Sequence, residues 1–128
     1  MDKATQSFVN LKKACASLEK AVATPPVEER DYGGIIQAFE FTYELTWKTL
    51  KAILEKNGID APFPRVVFEE AYKRGMIEGN EIWKDIMQAR NLTTHTYDQK
   101  LAQVLCADIQ KKYVNIFSKT VTKIEKFL

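Results

Sequence analysis

The chain has 128 residues, 45% apolar and 28% charged, the composition of a soluble globular protein and a length suited to one domain spanning 1–128. No segment approaches the roughly 20 apolar residues of a membrane span, and Met1-Asp2-Lys3-Ala4-Thr5-Gln6 lacks an apolar signal core, so a cytoplasmic protein with no membrane role is expected. The net charge of +2 hides an asymmetry, with an acidic middle and a basic excess after residue 98. All four prolines lie between Pro25 and Pro64, and all five glycines between Gly33 and Gly79. The Gly- and Pro-free stretch Asn80 to Leu128 would make a helical rod of roughly 74 Å, several times a domain radius of about 14 Å. An all-helical fold is therefore expected, with a break somewhere after Asn80.

Phe8, Leu11, Cys15, Leu18 and Val22 recur at steps of three and four and predict a first amphipathic helix, stopped by Thr24-Pro25-Pro26. Val27 to Gly34 reads as a polar connector. A second helix is predicted from Ile35 to about Asn57, with Gly58 past its end. Ile36, Phe39, Tyr43, Leu50 and Leu54 form one stripe, while Ile35, Phe41, Leu45, Trp47 and Ile53 extend the apolar surface around the circumference. Such a helix requires cover on more than one side, from a bundle and from a second copy of the chain, so a homodimer is expected.

Pro64 suits the first turn of a short third helix carrying Val67, Phe68, Ala71 and Tyr72 and ending at Gly75. Asn80 is the expected N-cap of a fourth helix, in which Trp83 and Met87 lead at the next helical step to Arg90. The break falls at Thr93-Thr94-His95-Thr96, a run of low helix propensity, and Asp98 can cap the helix that follows. That last helix is expected to turn Leu105, Ile109, Tyr113, Ile116, Val121, Ile124 and Leu128 inward. The fold class is all-α, an antiparallel up-and-down bundle of four main helices plus one short helix. Cys15 and Cys106 lie among apolar helical residues and read as buried hydrophobes rather than a disulfide or metal pair. Lys112, Lys119, Lys123 and Lys126 fall near one face of the last helix, either to meet phosphate or simply to be solvated.

The only histidine, His95, sits at the break, five positions after Arg90. An arginine on an apolar stripe must be partly desolvated and needs a carboxylate or phosphate partner. Histidine can move protons near neutral pH, arginine can hold a phosphate bidentately, and Tyr97 offers a hydroxyl. The same residues can equally be a structural ion pair and a cap. Glu40, Glu44 and Lys48 lie at successive steps of four on the second helix; Glu44 and Lys48 can pair along the surface, and one of the two glutamates is expected to turn inward to Arg90.

Arg90-Asn91-Leu92-Thr93-Thr94-His95-Thr96-Tyr97-Asp98 resembles the signature of the HEPN superfamily. Phe39 to Lys51 and Glu69 to Ile77, taken with it, resemble the nucleotidyltransferase substrate-binding protein family over nearly the whole chain. The resemblance implies a HEPN-like bundle that dimerises and works with a minimal nucleotidyltransferase encoded nearby. On that reading the chain is the non-catalytic substrate-binding subunit of a two-component nucleotidyltransferase, holding a nucleotide or RNA in a dimer cleft through Asn91, Thr94, Tyr97, Glu44 and Lys48. It needs no cofactor or metal of its own, and no Gly-Ser motif with paired aspartates is present to carry the magnesium chemistry of nucleotidyl transfer. The alternative that the resemblance implies is a ribonuclease toxin with catalytic Arg90 and His95, acting without metal and neutralised when the partner nucleotidyltransferase adenylylates Tyr97.

Overall fold

In the computed structural model, which describes residues Met1–Leu128, the chain is helical throughout and contains no strand. Helix α1 (Lys3–Val22) begins where the Asp2 carboxylate accepts the Thr5 N–H at 2.8 Å, and it buries Phe8, Leu11, Cys15 and Leu18. Helix α2 (Glu29–Lys56) starts six residues before the expected Ile35, so the stretch read as a connector is mostly helix. The reason is local. Asp31 accepts the backbone N–H groups of Val27 and Glu28 at 3.0 and 2.9 Å, closing a reciprocal cap that nucleates the helix ahead of Gly33 and Gly34.

Both glycines are exposed, and a Cβ at either would meet nothing within 4 Å. Gly33→Ala and Gly34→Ala are therefore each expected to stabilise the chain by about 0.5–1 kcal/mol. Gly79→Ala should do the opposite, because its φ is +72° and a Cβ would come 2.9 Å from Ile82 Cγ2. Thermal unfolding of the three variants checks this, and a destabilising Gly33→Ala would contradict a helix starting at Glu29.

At its other end α2 closes with Gly58 at φ +78°, where Gly58 and Ile59 donate back to the Glu55 and Leu54 carbonyls. Between these ends, Ile35, Ile36, Phe39, Tyr43, Leu50, Ile53 and Leu54 enter the core. A second buried row, Thr42, Thr46 and Thr49, faces α1. There the Thr42 hydroxyl donates either to the Ala38 carbonyl at 2.8 Å or to the Ala14 carbonyl of α1 at 3.3 Å, and the Ser7 and Thr49 hydroxyls meet at 2.7 Å. Of the extra apolar positions expected around α2, Leu45 and Trp47 are half-buried, and Phe41 stands outward, 61% exposed.

Helix α3 (Pro64–Lys73) turns Val67, Phe68 and Ala71 inward, whereas Tyr72, expected on that face, is exposed. In helix α4 (Asn80–Leu92) the N-cap position belongs to Gly79 and not to Asn80, and the buried stripe is Trp83, Ile86 and Ala89, with Met87 half-buried. The Trp83 ring stacks on Phe68 at 4.8 Å and meets Phe117 edge-on at 5.7 Å; Phe117 in turn contacts Phe39 at 5.9 Å. This aromatic column ties the short helix and α4 to the two long elements.

After the break come α5 (Gln99–Asp108), a π turn (Ile109–Tyr113) and α6 (Val114–Ile124), followed by a 3₁₀ turn at Glu125–Phe127. The π turn interrupts the 3.6-residue register that the pattern assumes. Beyond it Val114, Phe117 and Thr120 are buried, while Ile116, Val121 and Leu128, expected inward, are only half-buried. The bundle is antiparallel and up-and-down: α1, α2, α4 and the α5–α6 run are its main members, with α1 packed on α2 and α6, and α2 packed on α5. Cys15 and Cys106 are free and buried, and burial raises both thiols above their usual range, Cys106 to about 11.

Candidate functional site

The corner between α4 and α5 contains neither glycine nor proline and is built by hydroxyls. Helix α4 ends in a 3₁₀ turn, Thr93–His95. Thr94 Oγ1 donates to the Asn91 carbonyl at 3.1 Å and Thr96 Oγ1 to the Thr93 carbonyl at 3.0 Å. These bonds satisfy carbonyls that a helix end leaves without partners. On the far side, the Asp98 carboxylate accepts from the Lys100 and Leu101 N–H groups at 3.0 and 3.3 Å and starts α5, while the Asp98 N–H donates to the His95 carbonyl. The backbone of the corner is thus fixed from both ends. His95 and Tyr97 are left to project from it, both exposed (Tyr97 by 82%), with their rings edge-on at 6.1 Å.

Beneath the corner lies Arg90, half-buried and held by two acidic residues one turn apart on α2. Its Nη1 is 3.2 Å from Glu40 Oε2, and its Nε is 3.6 Å from Glu44 Oε1. Nη1 also donates to Thr93 Oγ1 at 2.8 Å. The single Thr93 hydroxyl proton then goes either to Glu40 Oε2 at 3.1 Å or to the Arg90 carbonyl at 2.7 Å. Glu44 is itself oriented by Trp47, whose Nε1 donates to Oε2 at 3.0 Å. Arg90 Nε is buried and makes no hydrogen bond, a deficit that typically costs about 1–3 kcal/mol and that a modest shift toward Glu44 would cancel. Burial pushes the neighbouring Tyr43 phenol up to about 12, with the Glu44 charge adding to the rise and Arg90 opposing it, so this tyrosine is a neutral packing group.

Two carboxylates thus face one guanidinium, and the cluster carries a net negative charge. The inward glutamate expected from the spacing is in fact a pair, Glu40 and Glu44. Of the other residues expected to form a site, Asn91 and Thr94 share the corner, and Asn91 is exposed. Lys48, expected beside Glu44, is exposed, forms no ion pair and stays outside the Arg90 network; Glu44 bonds Trp47 instead. Thr93 and Trp47 are participants that the sequence reading passed over. The only signal for them is a spacing of three, from Arg90 and from Glu44, that places them one helical turn along.

On the outer side of α2, Gly34, Gln37, Ala38, Glu40, Phe41 and Glu44 line an open groove of about 580 Å³ that shares both glutamates with the Arg90 cluster. No group of three or more His, Cys, Asp or Glu side chains is arranged to hold a metal ion, and no helix is long and apolar enough to cross a membrane.

The chain is similar to a protein of Haemophilus influenzae described as a probable ribonuclease HepT, 35% identical over 88 residues that make up 65% of this chain. It spans 60% of the length of that relative. A crystal structure of a protein from Thermus thermophilus superposes with a TM-score of 0.76 at 25% identity, covering 91% of this chain and 96% of that one. Residues 6–126 match the family model described as nucleotidyltransferase substrate binding protein like, and the chain belongs to that family.

Proposed function

We propose that the chain acts on RNA as an endoribonuclease through Arg90 and His95, in a pair with a nucleotidyltransferase that restrains it. The observation that carries this reading is the exposed His95 on a fixed corner that Arg90 joins through its hydrogen bond to Thr93. Neither the groove on the outer side of α2 nor the hollow between Gly79 and Lys123 includes His95 or Tyr97. A small acceptor molecule would find little enclosure at such a corner, whereas a polymer strand can lie across an open one. The description of the Haemophilus relative points the same way.

The chemistry is internal transesterification. The ribose 2′-oxygen attacks the adjacent phosphorus, the P–O5′ bond breaks, and a 2′,3′-cyclic phosphate and a 5′-hydroxyl result. One histidine takes the 2′-hydroxyl proton and a second donates a proton to the leaving 5′-oxygen. With a single histidine per chain, two copies must share the site. Phe41, exposed beside the small residues Gly34 and Ala38 on the outer face of α2, supports such pairing. Arg90 is suited to the charge of the pentacoordinate phosphorane; its Nη2 donates no hydrogen bond within the chain. Tyr97 is open to attack the α-phosphorus of ATP, releasing pyrophosphate and placing an AMP group, bulky and anionic, beside His95.

The second reading is a non-catalytic subunit that holds an acceptor for the partner nucleotidyltransferase. It is favoured by the two carboxylates that already neutralise Arg90 and would compete with a phosphate there. Expression of the chain alone, beside His95→Ala, separates the two. Growth arrest with RNA breakdown, abolished by the substitution, supports the ribonuclease; intact RNA in both cultures leaves the binding role. Incubating the chain with the partner and ATP should add one AMP by intact mass, and Tyr97→Phe should prevent it.

A further inference from the structure

At the far end of α4 from Arg90 lies a hollow of about 800 Å³ that has no part in the site above. Its walls are Glu78, Gly79 and Ile82 on one side, and Ile116, Lys119, Thr120, Thr122, Lys123 and Lys126 on the other. Three lysines therefore face one acid. Lys123 is tied to Glu78, its Nζ 2.9 Å from Oε1. Lys119 and Lys126 are exposed and make no ion pair within the chain. The Glu78 carboxyl is held below its usual range by the Lys123 hydrogen bond and charge, with a further contribution from the charge of Lys119, so the positive field of the wall reaches across the hollow. Lys112, expected on the same face, lies within the π turn, pairs instead with Asp108 at 3.8 Å and does not line the hollow.

The N-terminus of α4 opens here at Gly79, which has no side chain to cap it, and adds the positive end of the helix dipole. Ile82 and Ile116 are the only two hydrophobic residues of the lining, and no aromatic ring is among them. The surface therefore offers charge and hydroxyls for phosphates but no stacking platform for a base. That combination suits the backbone of a polynucleotide better than a free nucleotide, whose base would go unread. Lys119, Lys123 and Lys126 extend about 10 Å along the helix, and Asn80 is roughly 15 Å along α4 from Arg90. A short run of RNA could reach from the hollow to the corner that carries His95.

We propose that this hollow is a second RNA contact, a sequence-independent seat for backbone phosphates that guides the strand toward the Arg90–His95 corner. It rests on the RNA reading of the function and extends it to a surface outside the cleavage residues. The seat should set affinity for the strand and contribute no base specificity.

The test is binding of a single-stranded RNA of about 12 nucleotides, by fluorescence anisotropy over a series of salt concentrations, to the full chain carrying His95→Ala so that nothing is cut. Adding Lys119→Ala and Lys126→Ala should weaken binding about tenfold at low salt and make the slope of log affinity against log salt shallower by about 1.4, from roughly 0.7 per phosphate contact on a single strand. Lys12→Ala with Lys13→Ala, an equal charge removal on exposed positions of α1, should cost less than twofold. Equal losses in the two pairs, or an unchanged slope, would overturn the seat while leaving RNA as the substrate. Absence of RNA binding by the His95→Ala chain would instead overturn the RNA reading itself. Displacement of the RNA by ATP through Lys119 and Lys126 at comparable affinity would assign the hollow to a free nucleotide and likewise overturn the proposal. All four lysines are exposed, so unchanged thermal unfolding is the expected control.

Discussion

His95→Ala is expected to lower the single-turnover rate of RNA cleavage by roughly 10²–10⁴-fold, the usual worth of a positioned proton-transfer group, with no loss of stability. The His95 side chain is exposed, donates and accepts no hydrogen bond, and has its ring edge-on to that of Tyr97 at 6.1 Å, so removing it opens no cavity. The corner itself is held by the Thr94 and Thr96 hydroxyls and by the Asp98 cap, none of which involves the imidazole. A fall in rate at constant melting temperature therefore reports chemistry and not folding. Tyr97→Phe supplies the contrast: it should preserve cleavage while removing the oxygen that adenylylation requires. Retention of full cleavage by His95→Ala would remove His95 as the proton-transfer group, whereas absence of cleavage by the unaltered chain would leave the binding subunit.

Arg90→Met carries the second large effect, and here stability and activity should fall together. Without the guanidinium, the Glu40 and Glu44 carboxylates face one another beside Tyr43 and Thr93 with no counter-charge. Breaking a buried charge network costs several kcal/mol; because these side chains are about a quarter to a third exposed, roughly 2 kcal/mol is expected. Arg90→Met combined with Glu40→Gln, and separately with Glu44→Gln, should each recover part of that loss. Coupling of about 1 kcal/mol is expected for Glu40, whose contact is shorter and is bridged by Thr93. The coupling to Glu44 should be smaller, because its 3.6 Å approach leaves Nε without a hydrogen bond. Double-mutant cycles by urea unfolding measure both; zero coupling for the pair would mean that Arg90 is not braced by α2. In cleavage, Glu44→Gln should act mainly on KM, since it relieves competition for the guanidinium while leaving His95 in place.

The helical bundle and the position of its critical corner were legible in the chain because both depend on local periodicity and on the placing of residues that interrupt it. A 49-residue run with no glycine or proline had to bend, and the cluster of threonines marked where. The start of α2 was misread because a two-glycine pair outweighs a cap in any count of propensities, although Asp31 secures the helix through two backbone N–H groups before the glycines are reached. The π turn at Ile109–Tyr113 left no mark in the pattern, since both of its buried residues, Ile109 and Tyr113, also fit the spacing of an uninterrupted α-helix.

The functional corner divides along the same line. Sequence determined that Arg90, His95 and Tyr97 lie close together along the chain, and that an arginine on an apolar stripe needed an acidic partner. Only the tertiary structure decided which one. Pairing across fifty positions depends on how α2 and α4 are rotated against each other, and that rotation is set by the Phe39, Phe68, Trp83 and Phe117 contacts in the core. The same packing brings Glu40 and Glu44 together under Arg90, leaves Lys48 in solvent and turns Lys119 and Lys126 toward the end of α4.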